Sequence, residues 1–386
     1  MKELLGYWRP DGQVGIRNHL VIMSSVVCAN RAAELIAAAI PGAVPITHQH
    51  GCAHIGADME MVFRTLEGTG KNPNVGAVLV VGLGCEVIDA ADLAHRIAVS
   101  GKPVDYVSIQ KSGGTARTVE EGTKKATKMA EWLGQARREP FGWEHLILGT
   151  ECGGSDTTSG IAANPVTGGV ADRVVNLGGT VILSETPEII GAEHIMARRA
   201  ATPELGQKFL ELIQQVETRY LRMGVNFRGG NPSPGNIRGG LTTLEEKSLG
   251  AIHKAGTGSI QELLNYAERP SKKGLVVMDT PGHDVESLTG MAAGSSQVSI
   301  FTTGRGTPTG HPICPIIKVT GNPQTWERMG EDIDINASTI ILGRETLADV
   351  EERLFRYLVE VINGRLARAE VMGHREFGIT RLSMSL

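Results

Sequence analysis

Eight short apolar runs, spaced along the chain with helical stretches between them, constrain this sequence more than any other feature. They are HLVIMSSVV (19–27), VPIT (44–47), AVLVVGL (77–83), VDYVSIQ (104–110), HLILGT (145–150), TVILS (180–184), GLVVMD (274–279) and QVSIFTT (297–303). Most are apolar throughout rather than alternating. A strand of that kind needs cover on both faces, and helices packed on a parallel sheet supply it. Helix-like stretches such as RAAELIAAAI and AADLAHRIAVS follow the runs. The expected fold is therefore α/β, with two Rossmann-like parallel-sheet halves, 1–142 and 143–386.

The halves repeat one order of features. HLILGT opens the second as HLVIMS opens the first, and the bends that follow carry Cys152 and Cys28. TVILS leads into Glu185 where VPIT leads into His48. This reads as an internal duplication, or as the likeness that any two α/β stretches share. The second half carries an insertion at about 203–272, with the amphipathic ATPELGQKFLELIQQVETRYLRMG and the loop NFRGGNPSPGNIRGGLTTLEE.

Composition removes several classes of function. A net charge of −4 offers no basic excess for a phosphate backbone, and 4% aromatic residues offer little base stacking. No nucleic-acid partner is expected. No apolar run reaches the roughly 18–20 residues that cross a bilayer, and MKELLGYWRPDGQ lacks a signal-peptide core. A cytoplasmic enzyme without membrane contact is expected. Five cysteines, odd in number and without CxxC, argue against a disulfide framework. There is no P-loop, no GxGxxG after the first strand, no GxSxG and no HExxH.

The unusual residues gather just after the runs. They are Cys28, His48, His50, Cys52, Cys85, Glu86, Glu151, Cys152, Ser155, Asp156, Glu185, His283 and Asp284. Singly, each has an ordinary reading: a buried small thiol, a hydrogen-bonded histidine, an acid at a helix N-terminus. Together they combine thiol, imidazole and carboxylate at the strand ends where α/β sheets bind ligands. That mixture suits a transition metal such as iron or zinc.

Those same stretches resemble the large domain of the altronate/galactarate dehydratase family. The matching blocks include GYWRPDGQVGIRNHLVI, HQHGCAHIGAD, LVVGLGCE, GTECGGSDTTSGIAANPVTG, GGTVILSETPEIIGAEH and NPSPGNIRGGLTTLEEKSLG. The large subunit of (R)-sulfolactate sulfo-lyase is similar too. The resemblance implies a hydro-lyase acting on a sugar acid such as altronate or galactarate, activated by iron(II) or manganese. Sulfolactate cleavage is the alternative, and a non-catalytic sugar-acid-binding subunit is the reading from another class. Full-length dehydratases carry a small N-terminal domain, whereas this match begins at residue 6. A separate small partner subunit is therefore expected, as is a homo-oligomer.

Loss of water or sulfite from a hydroxy acid is a β-elimination through an enediolate, which a metal can stabilise. The expected metal ligands come from His48, Cys52, Cys85, Glu86, Glu151 and Cys152. His283 is the expected proton carrier, with Asp284 or Asp156 as orienter or acid. Gln110, Thr115, Ser155 and Arg305 are expected to hold the substrate's hydroxyl and carboxylate groups. An iron–sulfur cluster on Cys52, Cys85 and Cys152, with Cys28 able to replace one of them, stands as the alternative cofactor. GIRN (15–18) precedes the first run and is expected to be structural.

Overall fold

A computed structural model describes residues 3–54 and 56–382. Its strands are β1 Leu4–Trp8, β2 Val14–Gly15, β3 His19–Ser24, β4 Val44–Ile46, β5 Val75–Gly82, β6 Val104–Ser108, β7 Glu139–Phe141, β8 Ile147–Gly153, β9 Thr180–Leu183, β10 Ile260–Leu264, β11 Gly274–Met278, β12 Val298–Thr303, β13 Ile316–Thr320 and β14 Ile335–Asn336. Two parallel sheets carry the fold, in the orders β4-β3-β5-β6 and β10-β11-β9-β8-β12-β13-β14. A small antiparallel sheet, β2-β1-β7, lies beside them. Every residue of β5 and of β12 is buried, as strands covered on both faces require.

All eight apolar runs form strands, but their spatial orders differ between the halves. In the first half the third run lies beside the first; in the second half it lies beyond the second, and the fourth lies beside the first. The repeated order of features is therefore not a repeated strand order. The insertion is also less separate than expected. It contains the helix Pro203–Arg222, capped by the Thr202 hydroxyl on Leu205 N, and the helix Leu244–Ile252. It then gives the main sheet its edge strand, β10. VDYVSIQ stops as a strand at Ser108, and Ile109–Ser112 is helical.

Three buried amides join the halves at the amino ends of both sheets. Asn74, just before β5, donates to the carbonyls of Gln297 (2.8 Å) and Ile313 (2.9 Å) and accepts from Ile16 N (2.9 Å). Gln297, just before β12, accepts from Ile147 N (2.6 Å) and donates to Val14 O (2.9 Å) and His145 O (2.7 Å). Asn72 donates to Ala292 O (2.7 Å) and Ser296 O (2.9 Å).

The helix Gly56–Lys71 follows β4, and the helix Asp284–Ala293 follows β11. Their C-terminal ends meet: a Cβ on Gly68 would lie 2.4 Å from Ala293 O, so only glycine allows this approach. The two helices run in one direction, and both sheets point their carboxyl ends to the same side. A C-terminal strap crosses between them there. Gly378 N donates to Thr289 Oγ1 (3.3 Å), Ile379 O meets His50 Nε2 (3.2 Å), and Leu382 N donates to Asp58 Oδ1 (2.6 Å).

GIRN lies at the opposite, amino-terminal side. The Arg17 guanidinium pairs with both Glu370 oxygens (2.8 and 2.9 Å) and donates to Val361 O (3.0 Å) and Arg365 O (2.8 Å). Its role is to fasten the C-terminal helices to the first half.

Asn74→Ala would take the side-chain acceptor from two buried N–H groups, of Ile16 and Arg17, and the side-chain donor from two buried carbonyls. We expect a loss of about 2–5 kcal/mol in urea unfolding, since each orphaned buried group costs about 1–3 kcal/mol. A loss below about 1 kcal/mol would show that these groups find other partners.

Candidate active site

A buried polar cluster lies at the carboxyl end of the seven-stranded sheet. β8 ends in Glu151-Cys152-Gly153, and its neighbour β9 runs into Ser184-Glu185. Lys254, from the turn after the helix Leu244–Ile252, points its ammonium between them. Its Nζ lies 2.5 Å from Glu185 Oε2 and 2.8 Å from Cys152 Sγ. Lys254 and Glu185 side chains are each only 1% exposed. The same Glu185 oxygen accepts from Cys152 N (2.9 Å).

Glu185 holds a left-handed backbone, φ 62° and ψ 59°. A non-glycine residue pays about 1–3 kcal/mol for such a conformation, so its surroundings must enforce it. Thr280 Oγ1 does so by accepting from Glu185 N (2.7 Å).

Glu151 is anchored on one oxygen only. Its Oε2 accepts from Ser287 Oγ (2.6 Å) and Ser184 Oγ (2.9 Å), while Oε1 is buried with no hydrogen-bond donor. Asp284, first residue of its helix, leans into the space that Gly153 leaves: a Cβ there would lie 2.4 Å from Asp284 Oδ2. Oxygens of Glu151, Glu185 and Asp284 lie within 4.8 Å of one another, the one such group of three ligand atoms among the described residues.

Charge in this cluster is finely divided. Burial, then the Glu185 carboxylate, pushes the Glu151 carboxyl well above its usual range. The same two causes push the Cys152 thiol up. Burial, then Glu185 and Glu188, raises Asp284 to about 7. Burial alone would discharge Lys254, but Cys152 and Glu185 hold its ammonium above the ordinary value.

Beside the cluster opens a cavity of about 400 Å³, lined by Glu188, Tyr220, Asn226, Asn231, Lys247 and His283 among others. Lys247 donates to Glu188 (3.0 Å) and Asn231 Oδ1 (3.0 Å) at its rim. His283 immediately precedes Asp284, and its side chain is 67% exposed.

The structure divides the residues expected from sequence between two places. Glu151, Cys152, Ser155, Asp156, His283, Asp284 and Arg305 lie at the end of the seven-stranded sheet. His48, Cys52, Cys85, Glu86, Gln110 and Thr115 lie at the end of the four-stranded one. Several of them have their polar atoms engaged inside the protein. His48 contacts Ser24 O through Nε2 (2.8 Å) and accepts from His50 N through Nδ1 (3.1 Å), leaving no free ring nitrogen for an ion. Burial pushes its pKa down to about 4. Glu86 accepts from Leu83 N (3.1 Å), Gly84 N (2.5 Å) and Ser25 Oγ (3.0 Å), which fixes its own turn.

Asp156 accepts from Asn322 Nδ2 (2.7 Å), Thr158 Oγ1 (2.6 Å) and Ser159 N (3.1 Å), so the second acid of TECGGSD clamps the bend. Arg305 donates to Gly235 O (2.8 Å), and Ser155 O accepts from Asn236 Nδ2 (2.9 Å). Both hold the loop NPSPGNIRGG over the sheet end. Gln110 and Thr115 are exposed.

Sequence reasoning did not single out Lys254, Ser184, Thr280, Ser287 or Lys247. A lysine inside AIHKAGTG carries only a weak signal, a charge where the flanking pattern is apolar. Ser184-Glu185 gives a better one, because it puts an acid straight after a buried strand as Thr150-Glu151 does.

Residues 143–385 match the family model described as D-galactarate/altronate dehydratase, C-terminal, and residues 6–134 match D-galactarate dehydratase/altronate hydrolase, second domain. The chain belongs to the D-galactarate/altronate dehydratase family. It is an enzyme of the lyase class. It is 37% identical to the (2R)-sulfolactate sulfo-lyase subunit beta of Chromohalobacter salexigens, over 99% of this chain and 98% of that one. It is 34% identical to an altronate dehydratase of Bacillus subtilis, over 99% of this chain and 78% of the relative. It is 36% identical to the galactarate dehydratase (L-threo-forming) of Escherichia coli, over 93% and 72%.

Lys254→Met should destabilise this dehydratase-family chain by about 3–5 kcal/mol, because it leaves Glu185 charged and unpaired in the core. Adding Glu185→Gln should recover a measurable part of that loss. Chemical denaturation of both variants checks this, and equal stability of the two would show that the pair is not coupled.

Proposed function

We propose that the chain catalyses β-elimination of water from a small hydroxy acid, a sugar acid of the altronate or galactarate type. The observation that carries this reading is the polar cavity holding His283 and Lys247 beside the Glu151–Glu185–Asp284 carboxylates. Its volume of about 400 Å³ suits a six-carbon acid. Lys247 offers positive charge to the substrate carboxylate, and Asn226 and Asn231 offer amides to its hydroxyl groups.

His283 would take the proton next to the carboxylate, since it is the ionisable ring at the cavity's edge. The imidazolium formed would return that proton to the departing hydroxyl as the C–O bond breaks, releasing water. The enol left behind becomes a keto acid. Lys254, locked by Glu185 and Cys152, contributes fixed positive charge beneath the site.

A divalent metal, iron(II) or manganese, fits the carboxylate group. Glu151 Oε1 is buried and has no donor, and a Glu151 oxygen lies within 4.8 Å of oxygens of Glu185 and Asp284, a group that a cation suits. Glu151, Glu185 and Asp284 would hold it, an all-oxygen set suited to such ions. When bound, it supplies Lewis-acid stabilisation of the enediolate.

A second reading has support of its own. The alignment with the sulfolactate sulfo-lyase subunit beta spans 98% of that subunit, against 78% and 72% of the two dehydratases. On that reading sulfite leaves in place of water, and a small partner subunit completes the enzyme.

His283→Ala should lower kcat by about 10²–10⁴-fold, the usual worth of a general acid–base, with metal content unchanged. Glu151→Gln should lower metal content instead. Assays with altronate, galactarate and (R)-sulfolactate, with and without a small partner protein, identify the leaving group. Full turnover by His283→Ala would exclude its proton-transfer role.

A further inference from the structure

The four-stranded sheet carries a second group of reactive side chains that the elimination site does not use. Cys28, Cys52 and Cys85 are all exposed, whereas Cys152 and Cys314 are buried. Cysteine is among the residues most often buried, so three exposed thiols in one half are unusual. They follow β3, β4 and β5, which are adjacent in the order β4-β3-β5.

The three loops are also tied to one another. Val27 N donates to His50 O (2.9 Å), and Gly51 O accepts from Val87 N (3.1 Å) and Ile88 N (3.3 Å). Ser25 Oγ donates to Glu86 Oε1 (3.0 Å). Gly51, at φ 101°, sits so close that a Cβ would fall 2.1 Å from Ser25 O. Each cysteine therefore lies within two residues of a bond joining its loop to a neighbouring one. The polar side chains around them, His48 and Glu86, are turned to holding the loops together. Gln110, on the turn after β6, directs Nε2 at Cys85 Sγ (3.5 Å).

We propose that Cys28, Cys52 and Cys85 bind an iron–sulfur cluster. A single ion would need its ligand atoms close together. The carboxylate group is the one set of three such atoms within 4.8 Å among the described residues, so the three sulfurs do not all lie that close together. A cuboidal cluster spans a wider triangle, and thiolates are its usual ligands. Three thiolates would leave one iron without a protein ligand. The helices Asn30–Ala38, Ala90–Ala98 and Thr115–Leu133 begin at this end of the sheet, and their positive ends favour the cluster's negative charge. The Gln110 amide suits a hydrogen bond to a cluster-bound sulfur.

This inference concerns a cofactor and stands apart from the elimination site. The test is anaerobic purification of the whole chain, followed by reconstitution with ferrous iron and sulfide. Visible absorption, iron and acid-labile sulfide are measured. We expect brown protein with iron and sulfide in equal amounts, roughly four of each per chain for a cuboidal cluster. Cys28→Ser, Cys52→Ser and Cys85→Ser should each lose more than half of the sulfide, with far-ultraviolet circular dichroism unchanged. Cys314→Ser should keep it all, and so should Glu151→Gln, which separates this site from the carboxylate one. Iron bound without labile sulfide after reconstitution, or sulfide retained in all three cysteine variants, would overturn the proposal.

Discussion

The amide contacts of Asn72, Asn74 and Gln297 set the arrangement on which the rest depends. A strand beginning in the core exposes backbone N–H and carbonyl groups that water cannot reach, and these must find partners. Here each of the three amides bonds at least one group of the opposite half. Asn74 serves Ile16, Gln297 and Ile313 at once, and Gln297 serves Ile147, Val14 and His145. Apolar packing alone would let the two sheets slide or rotate, because it has no direction. Hydrogen bonds have direction, so the amino ends are locked together and the carboxyl ends share a side.

The second determining feature is charge placed where charge is expensive. An ion pair as deeply buried as Lys254–Glu185 seldom adds net stability, because desolvation offsets its attraction. Here it comes with a left-handed Glu185, a carboxylate oxygen of Glu151 without a donor, and an Asp284 carboxyl raised to about 7. No packing requirement explains that combination. Groups held in states they would not adopt in water are typical of catalytic centres. The serines and threonine around them, Ser184, Ser287 and Thr280, are the supports that keep it in place.

Much of the fold could be read from sequence because an apolar run buried on both faces looks the same in any arrangement. The order of strands could not, since it depends on which helix packs on which face. Residue roles divided along the same line. Glu151 and Asp284 stood out because an acid beside a buried strand or at a helix start is already costly in local terms. Asp156 stood out equally, yet its partners include Asn322, 166 residues away, and they make it a clamp. His48 looked like a ligand in HQHGC, but Ser24 and the His50 amide occupy its ring. Lys254 was silent because its partners lie 69 and 102 residues distant. The thiols were legible as strand-end residues, but that their loops adjoin rests on the strand order.

The amide contacts also bear on synthesis. Asn74 and Gln297 are 223 residues apart, and the helix Gly56–Lys71 leaves the ribosome long before the helix that covers its flank. At roughly 5–20 residues per second the delay is on the order of ten to fifty seconds. Throughout that interval the nascent first half carries an uncovered apolar flank and two side-chain amides, Asn72 and Asn74, that lack their second-half partners. The strap that crosses both halves is made later than either sheet. Folding of this chain during translation is thus a matter of waiting, and the emerging first half is the species with most need of a chaperone.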